Sequence, residues 1–273
     1  KRDIKRGRIM KIKSVCLYDN SSEESKKIRE KLEKKFSYLG IRVEDKDYQL
    51  AIAIGGDGTF LKMISFYQFH SSLIYTGINL GRIGMLQEIE KSDMDLFFTS
   101  LKNDSYLIKK VPLLEINVTI GKNRVKYYCL NEVVIREDGL RTTTFDIFTS
   151  QSKLETFVGD GVLVSSSIGS SAYNASLGGS IILSDMNTMQ LTPLAPVRAN
   201  LHHHFFNSLI FSEREILKIY SKGRSNHLVL SLDGNSIRIE AVEEIEIKIS
   251  DKQIQKLVLS DDKISKFRKK LID

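Results

Sequence analysis

Leu50-Ala51-Ile52-Ala53-Ile54-Gly55-Gly56-Asp57-Gly58-Thr59-Phe60-Leu61-Lys62 is the stretch on which the reading of this 273-residue chain turns. Five apolar residues in a row, closed by glycines, spell a strand buried on both faces, as in a parallel sheet. Leu50–Ile54 is therefore expected as a strand and Phe60–Phe69 as the helix that follows it. Three glycines, one Asp and one Thr in that fixed order arise by chance in roughly one chain of this length in a few thousand. An isolated Asp-Gly is usually only a turn, with Asp57 or Thr59 capping the next helix. Here it lies where a strand's carboxyl end meets a helix N-terminus, the place where open parallel sheets bind ligands. Glycines let phosphate oxygens approach backbone N–H groups, and the helix start favours negative charge. An acid held at such a phosphate site is placed to accept a proton from an attacking hydroxyl. The GxxxxGK[ST] pattern of a P-loop occurs nowhere in the chain.

On either side of this stretch, strand-like and helix-like patterns alternate. Ser14–Tyr18 reads as a strand, and Ile28, Leu32, Phe36 and Leu39 recur at helical spacing behind Ser21 or Ser22 as N-cap. Leu73–Ile78 reads as a strand, and Leu96, Phe97 and Leu101 mark a further helix. Such alternation predicts a Rossmann-like parallel α/β domain over residues 10–105. After about Leu107 the pattern changes. Leu114–Ile120 and Val125–Ile135 flank Gly121-Lys122-Asn123 as a hairpin. Thr143–Ser150, Leu154–Val164, Ile216–Tyr220, His227–Leu232, Ser236–Ile239 and Ile245–Ile249 continue as short strands, which predicts an all-β, sandwich-like domain over 106–260. Ser170–Leu177 reads as a short helix, and a basic amphipathic helix over 262–272 is expected to pack back on the first domain.

Composition fits two globular domains: 41% hydrophobic, 27% charged, 17 Gly and only 3 Pro. No apolar run approaches 18 residues, so no membrane-spanning helix is expected. The basic start, Lys1–Lys13, lacks the apolar core of a signal peptide, and Met10 is a candidate natural start. Two cysteines, Cys16 and Cys129, are too few for a disulfide framework, which points to the reducing cytoplasm. The net charge is +7, from 41 Lys+Arg against 34 Asp+Glu, but basic residues are spread along the chain without interleaved aromatics. Nucleic acid is therefore not an expected partner, whereas a positive field suits polyanionic nucleotides. Adjacent histidines on a strand point to opposite faces, so His202-His203-His204 is not expected to hold a metal ion. Ser260–Lys263 fits the SxxK pattern without its companion motifs.

Four stretches together carry a family resemblance. Gly55-Gly56-Asp57-Gly58-Thr59 with Phe60-Leu61-Lys62 resembles the NAD kinases and the related diacylglycerol and sphingosine kinases. Gly77-Ile78-Asn79-Leu80-Gly81-Arg82-Ile83-Gly84-Met85-Leu86 is similar to the NAD kinase GxNxGxLGFL segment, and Asn131-Glu132-Val133-Val134-Ile135 to its NE motif. Asp160-Gly161, then Gly169-Ser170-Ser171-Ala172-Tyr173-Asn174 and Leu177-Gly178-Gly179, is similar to its second glycine-rich stretch. The stretches fall in family order and, with their flanks, cover most of residues 50–195.

The resemblance implies a kinase that moves the terminal phosphate of ATP, with Mg²⁺, to the 2′-hydroxyl of the adenosine ribose of NAD. Asp57 would be the proton acceptor, in a loop formed by Gly55, Gly56, Gly58 and Thr59, with Gly58 beside the dinucleotide and Lys62 reaching a phosphate. Asn131 and Glu132 would hold the ribose and diphosphate side, and Asp160 the nicotinamide end. Ser171, Ala172, Tyr173, Asn174, Ala175 and Ser176 would line the adenine-ribose pocket. Ala195 matches a position that reaches the dinucleotide of a neighbouring subunit, which implies a homo-oligomer, dimer or tetramer. Asp233-Gly234-Asn235 matches a late turn near the site, where Asn235 is a further binding candidate. The chain departs from the family's TPTGSTAY at Ser166-Ser167-Ile168-Gly169-Ser170-Ser171-Ala172-Tyr173, and Val158 stands where many bacterial members carry Arg. Two rival readings are a lipid kinase of the same superfamily, which the NE and SAYN stretches oppose, and a dinucleotide-binding regulator without catalysis, which retention of Asp57 opposes.

Overall fold

The computed structural model describes residues 11–81, 84–139, 141–183, 186–197, 205–222, 227–260 and 262–272, the side chains of Lys263, Lys269 and Leu271 excepted. The start Lys1–Ile9 with Met10, the pair Arg82-Ile83 of the second motif, and His202-His203-His204 lie outside the described residues. The chain divides into two compact units, Lys1–Val111 with Gln253–Asp273, and Pro112–Lys252.

The first unit begins with β1 (Ser14–Asp19), α1 (Glu23–Tyr38), β2 (Arg42–Val43), β3 (Leu50–Gly55) and α2 (Asp57–Phe66). β4 (Ile74–Asn79), β5 (Ile89–Glu90), α3 (Met94–Lys102) and the start of β6 (Leu107–Ile120) follow. β2, β1, β3 and β4 pair side by side, all parallel. All six residues of β3 are buried, which is why it reads as an unbroken apolar run. α1 is capped by the Ser22 hydroxyl, which accepts from Ser25 N–H at 3.1 Å, and its Leu32 and Phe36 pack with Ile52, Ile54, Phe97 and Leu257 in one core. α2 starts at Asp57, three residues before the expected start, because Gly56 is its N-cap. Asp57, Gly58 and Thr59 thus form its first turn, where an acidic side chain meets the positive end of the helix. The helix stops at Phe66, ahead of the expected Phe69, because Gln68 and Phe69 adopt positive φ.

The second unit takes the rest of β6, then β7 (Asn123–Cys129), β8 (Glu132–Glu137), β9 (Thr143–Phe148), β10 (Lys153–Gly159) and β11 (Gly161–Ser166). The one-turn helix α4 (Tyr173–Ser176) precedes β12 (Thr188–Leu194), β13 (Leu209–Ser212), β14 (Ile216–Ser221), β15 (Leu228–Leu232), β16 (Asn235–Ile239) and the first part of β17 (Glu244–Val258). The far end of β17 pairs with β4 in the first unit, and α5 (Lys263–Leu271) closes the chain there. An antiparallel sheet ordered β13-β12-β11-β8-β15-β16 presents Val133, Ile135, Val162, Val164, Met189 and Leu191 to a core shared with Phe145, Ile147, Leu217, Ile219, Ile245 and Ile247 of β9, β14 and β17. The architecture is therefore a parallel α/β unit and an all-β sandwich.

Two of the expected strands are broken. Val125–Ile135 divides at Leu130-Asn131 into β7 and β8, and Leu154–Val164 divides at Asp160 into β10 and β11. In each case the chain leaves one sheet of the sandwich for the other, and each corner carries residues named by the motifs. At the second corner Gly161 has φ +150°, and a Cβ there would lie 2.4 Å from Ile135 O. Among the described residues no helix is long and apolar enough to cross a membrane.

Candidate functional site

In the first unit the glycine loop is built around Asp57. Its carboxylate accepts the backbone N–H of Met85 at 2.7 Å through Oδ2, and those of Leu86 at 3.0 Å and Gln87 at 3.2 Å through Oδ1. A carboxylate has about four lone-pair sites, so about one remains to accept a proton or a ligand donor. The 84–87 segment fits against Asp57 because Gly84 is bare: a Cβ there would lie 2.7 Å from Asp57 Oδ1. Gln87 completes the cradle. Its Nε2 donates to Gly55 O at 3.1 Å and Gly56 O at 2.7 Å, and its side chain occupies the space that a Cβ on Gly77 would need. Gly56 and Gly58 behave differently, since a Cβ on either would meet nothing within 4 Å. Their smallness is not required by neighbouring atoms and leaves the first turn of α2 open to a ligand. Lys62 is exposed one turn further on.

Basic side chains back this loop. Lys270 Nζ pairs with Glu90 Oε1 at 3.0 Å and donates to Gln87 O at 2.8 Å, while Lys266 Nζ pairs with Glu88 Oε2 at 2.8 Å. Lys256 is buried with its Nζ 5.6 Å from the centre of the Phe60 ring. Burial, reinforced by Lys266, pushes its ammonium down to about 7, against the opposing pull of Glu88 and Asp57.

In the second unit the motif residues gather on the face of the six-stranded sheet turned away from the sandwich core. Glu132, Ser165 and Gln190 are register partners across β8, β11 and β12, and partners directly opposite share a face. The 167–180 segment is tied to this face. Ser166 Oγ donates to Leu130 O at 2.6 Å and accepts from Gly169 N–H at 3.1 Å, which pins the loop despite its missing proline. A Cβ on Gly169 would lie 2.1 Å from Asn131 O, so only glycine fits beside Asn131. Asn174 is fully buried and spends its side chain on the loop: Nδ2 donates to Ser170 O at 3.1 Å and Oδ1 accepts from Thr192 Oγ1 at 2.7 Å. Tyr173 and Ser176 are exposed, while Ser171, Ala172 and Ala175 are half-buried.

Asn131 Oδ1, Glu132 Oε2 and Ser165 Oγ are buried without a hydrogen-bond partner. Buried polar atoms are nearly always paired, so three such oxygens around one corner make it a candidate place for a ligand's donors. Asp160, half-buried, donates its backbone N–H to Leu194 O at 2.9 Å. Gly159 lies against Ala195 O, so Asp160 and Ala195 sit together at the end of β12, where Ala195 is exposed with φ +42°. Asn235 is exposed in the β15–β16 turn and pairs with Leu232. In that turn the Asp233 carboxylate accepts the N–H of Leu130 and of Asn131, each at 2.7 Å, and that of Glu132 at 3.3 Å. Burial raises Asp233 to about 6, and burial with the nearby Asp233 charge raises Glu132 to about 7. Val158 is an ordinary β10 residue, and among the described residues no group of three or more His, Cys, Asp or Glu is arranged to hold a metal ion.

Gln87, Ser165 and the clamp role of Asp233 were not legible as site features. Gln87 and Ser165 flank quoted motifs, and the β pairing of Ser165 with Glu132 is the one signal that would have found it.

Comparison with known proteins agrees with this construction. Residues 10–106 match the ATP-NAD kinase N-terminal domain and residues 130–259 the ATP-NAD kinase C-terminal domain. The NAD kinase of Finegoldia magna is 34% identical over 261 residues, covering 92% of this chain and 94% of that protein. NAD kinase 2 of Listeria monocytogenes is 32% identical over 244 residues, covering 87% and 90%. Among solved structures, yeast NADH kinase complexed with NADH superposes with a TM-score of 0.80 at 17% identity, over 96% of this chain and 87% of that one. An NAD kinase from Archaeoglobus fulgidus in complex with ATP gives 0.74 at 18% identity, over 92% and 94%. With both domains matched in order and relatives aligned along nearly its whole length, the chain belongs to the ATP-NAD kinase family.

Proposed function

We propose that this chain phosphorylates the 2′-hydroxyl of the adenosine ribose of NAD, taking the terminal phosphate of ATP and yielding NADP. The observation that carries the reading is the set of orphaned oxygens on Asn131, Glu132 and Ser165, which matches the hydroxyl donors of a ribose. The glycine loop adds the other half of the chemistry, an open helix start for phosphate beside a carboxylate with one free lone-pair site. Asp57 takes the proton of the attacking hydroxyl, and Gly55, Gly56, Gly58 and Thr59 form the cradle. Lys62 reaches from solvent to a phosphate oxygen. Asp160, the 171–176 segment and Asn235 bound the dinucleotide, with Asn174 shaping the loop.

A divalent metal would arrive on the phosphates of ATP, as Mg²⁺ commonly takes one or two carboxylates together with substrate oxygens and water. Such an ion would supply charge neutralisation on the transferred phosphoryl group. We further propose a homo-oligomer in which the exposed Ala195 reaches the neighbour's dinucleotide. Both cysteines are free, which agrees with work in the reducing cytoplasm.

The test is NADP formation from NAD with Mg²⁺-ATP, with diacylglycerol as a parallel acceptor. Asp57→Asn is expected to lower kcat by about 10²–10⁴-fold while NAD affinity stays within a few fold. Turnover close to wild type in that variant would overturn the base assignment, and phosphorylation of diacylglycerol alone would overturn the substrate.

A further inference from the structure

Three consecutive backbone N–H groups of the Asn131-Glu132 corner are accepted by one distant residue. Asp233 spans three consecutive backbone N–H groups with its carboxylate and donates its own N–H to Glu132 O at 3.1 Å. It does so from a two-residue turn, with positive φ at both Asp233 and Gly234, that aims the side chain back across the β8 end. This grip spans the break between β7 and β8, where Asn131 Oδ1 and Glu132 Oε2 are buried and bare. The titratable groups facing Glu132 are the Asp233 carboxyl from the β15–β16 turn and the Cys129 thiol from β7. β11 contributes only the Ser165 hydroxyl opposite, and among the described residues no cation offsets the two carboxyls.

We propose that Asp233 is a positioning residue of the dinucleotide site, fixing the Asn131-Glu132 backbone and governing when Glu132 carries the charge that accepts ribose hydroxyls. The inference rests on reading Asn131-Glu132 as the dinucleotide site. Without ligand, Glu132 Oε2 has no donor to face, so its charge is costly beside Asp233. A ribose hydroxyl supplies the missing donor and makes a charge-assisted hydrogen bond. Dinucleotide binding therefore favours ionised Glu132, releases a proton near neutrality and tightens as pH rises through about 7. Replacing Asp233 by Asn moves that midpoint to lower pH, and it exchanges one of the two oxygens that accept the N–H groups of 130–132 for a donor.

The experiment is calorimetric titration of the full-length protein with NAD from pH 5.5 to 8.5, in two buffers of different ionisation enthalpy so that proton release is counted. Wild type is expected to bind more tightly above its midpoint and to release a proton near pH 7. Asp233→Asn is expected to weaken NAD binding at least tenfold and to shift the midpoint to lower pH. In turnover it should raise the KM for NAD, with the KM for ATP and kcat within about threefold. Should that variant fold poorly, Glu132→Gln keeps the backbone clamp and is expected to abolish both the midpoint and the proton release. An Asp233→Asn protein that binds NAD within twofold of wild type with an unmoved midpoint would overturn the proposal, as would a Glu132→Gln protein that still releases the proton. Failure of wild type itself to bind NAD would overturn the site reading, and this inference with it.

Discussion

A Cβ added at Gly58 would meet no atom within 4 Å, whereas one at Gly55 would lie 2.3 Å from Thr59 Oγ1. The two glycines of one motif therefore serve different ends. Gly55 is required by the fold, because Thr59 packs into the space above it. Gly58, in the first turn of α2, costs helix stability relative to alanine and returns nothing in packing. Gly58→Ala is thus expected to leave the melting temperature unchanged or slightly raised, while the KM for NAD or ATP rises at least tenfold. Thermal melts and steady-state kinetics on one preparation check both halves, and an unchanged pair of KM values would show that no ligand approaches there. Asp57, Asn131, Glu132 and Asp160 stand out in the sequence as site candidates because their chemistry lies inside local motifs. Gln87 and the clamp role of Asp233 do not. Their bonds to Gly56 and to Asn131 span 31 and 102 residues, and no local spacing encodes a contact of that kind.

Elements were legible where burial alone shapes the pattern. β3 and β4 are buried throughout and match their apolar runs, and the α1 N-cap falls on Ser22. The runs Val125–Ile135 and Leu154–Val164 failed as single strands because apolar alternation persists across a corner when the chain exchanges one sheet of a sandwich for the other. α5 shows the opposite case, a charged helix whose purpose is invisible until its partners are seen. Its Lys270 is nearly enclosed, pairs with Glu90 and holds Gln87 O, on the segment whose N–H groups grip Asp57. Lys270→Met leaves Glu90 and that carbonyl without their cation. A loss of about 1–3 kcal/mol in stability is expected from such a partly buried pair. Loosening the grip on Asp57 should lower kcat about tenfold and leave the KM for NAD within threefold. Denaturant unfolding and kinetics test this, and a kcat equal to wild type would show that α5 stabilises the unit without steering the acid.

Over the whole molecule, buried charge sets how stability follows pH. Glu132 and Asp233 have folded values raised to about 7 and about 6, above their ordinary 4.5 and 3.8, so the folded chain binds more protons than the unfolded one between about pH 4 and 7. Stability contributed by this pair therefore falls as pH rises through that window. Lys256 acts in the other direction. Its folded value is lowered from 10.5 to about 7, so the unfolded chain binds the extra proton between pH 7 and 10.5 and stability rises across that range. The two limbs meet near neutrality, and the ligand-free chain is expected to show a stability minimum close to pH 7. At about 1.36 kcal/mol per pKa unit the upper bound is about 6 kcal/mol for the limb of the Glu132–Asp233 pair and about 5 kcal/mol for the Lys256 limb. Below pH 4 the trend reverses, because Asp19 and Asp146 are held below their ordinary value by hydrogen bonds and ion pairs to Arg29 and Lys153 that protonation breaks. Melting temperatures of the unliganded protein from pH 3 to 10 would trace this shape. Glu132→Gln should reduce the limb between pH 4 and 7 to the share of Asp233, and Lys256→Met should flatten the limb above pH 7. A single maximum at neutrality, unmoved by either substitution, would mean that these groups are solvated in the folded chain. Saturating NAD should lift the minimum most above pH 7, where Glu132 is ionised and a ribose hydroxyl answers its charge.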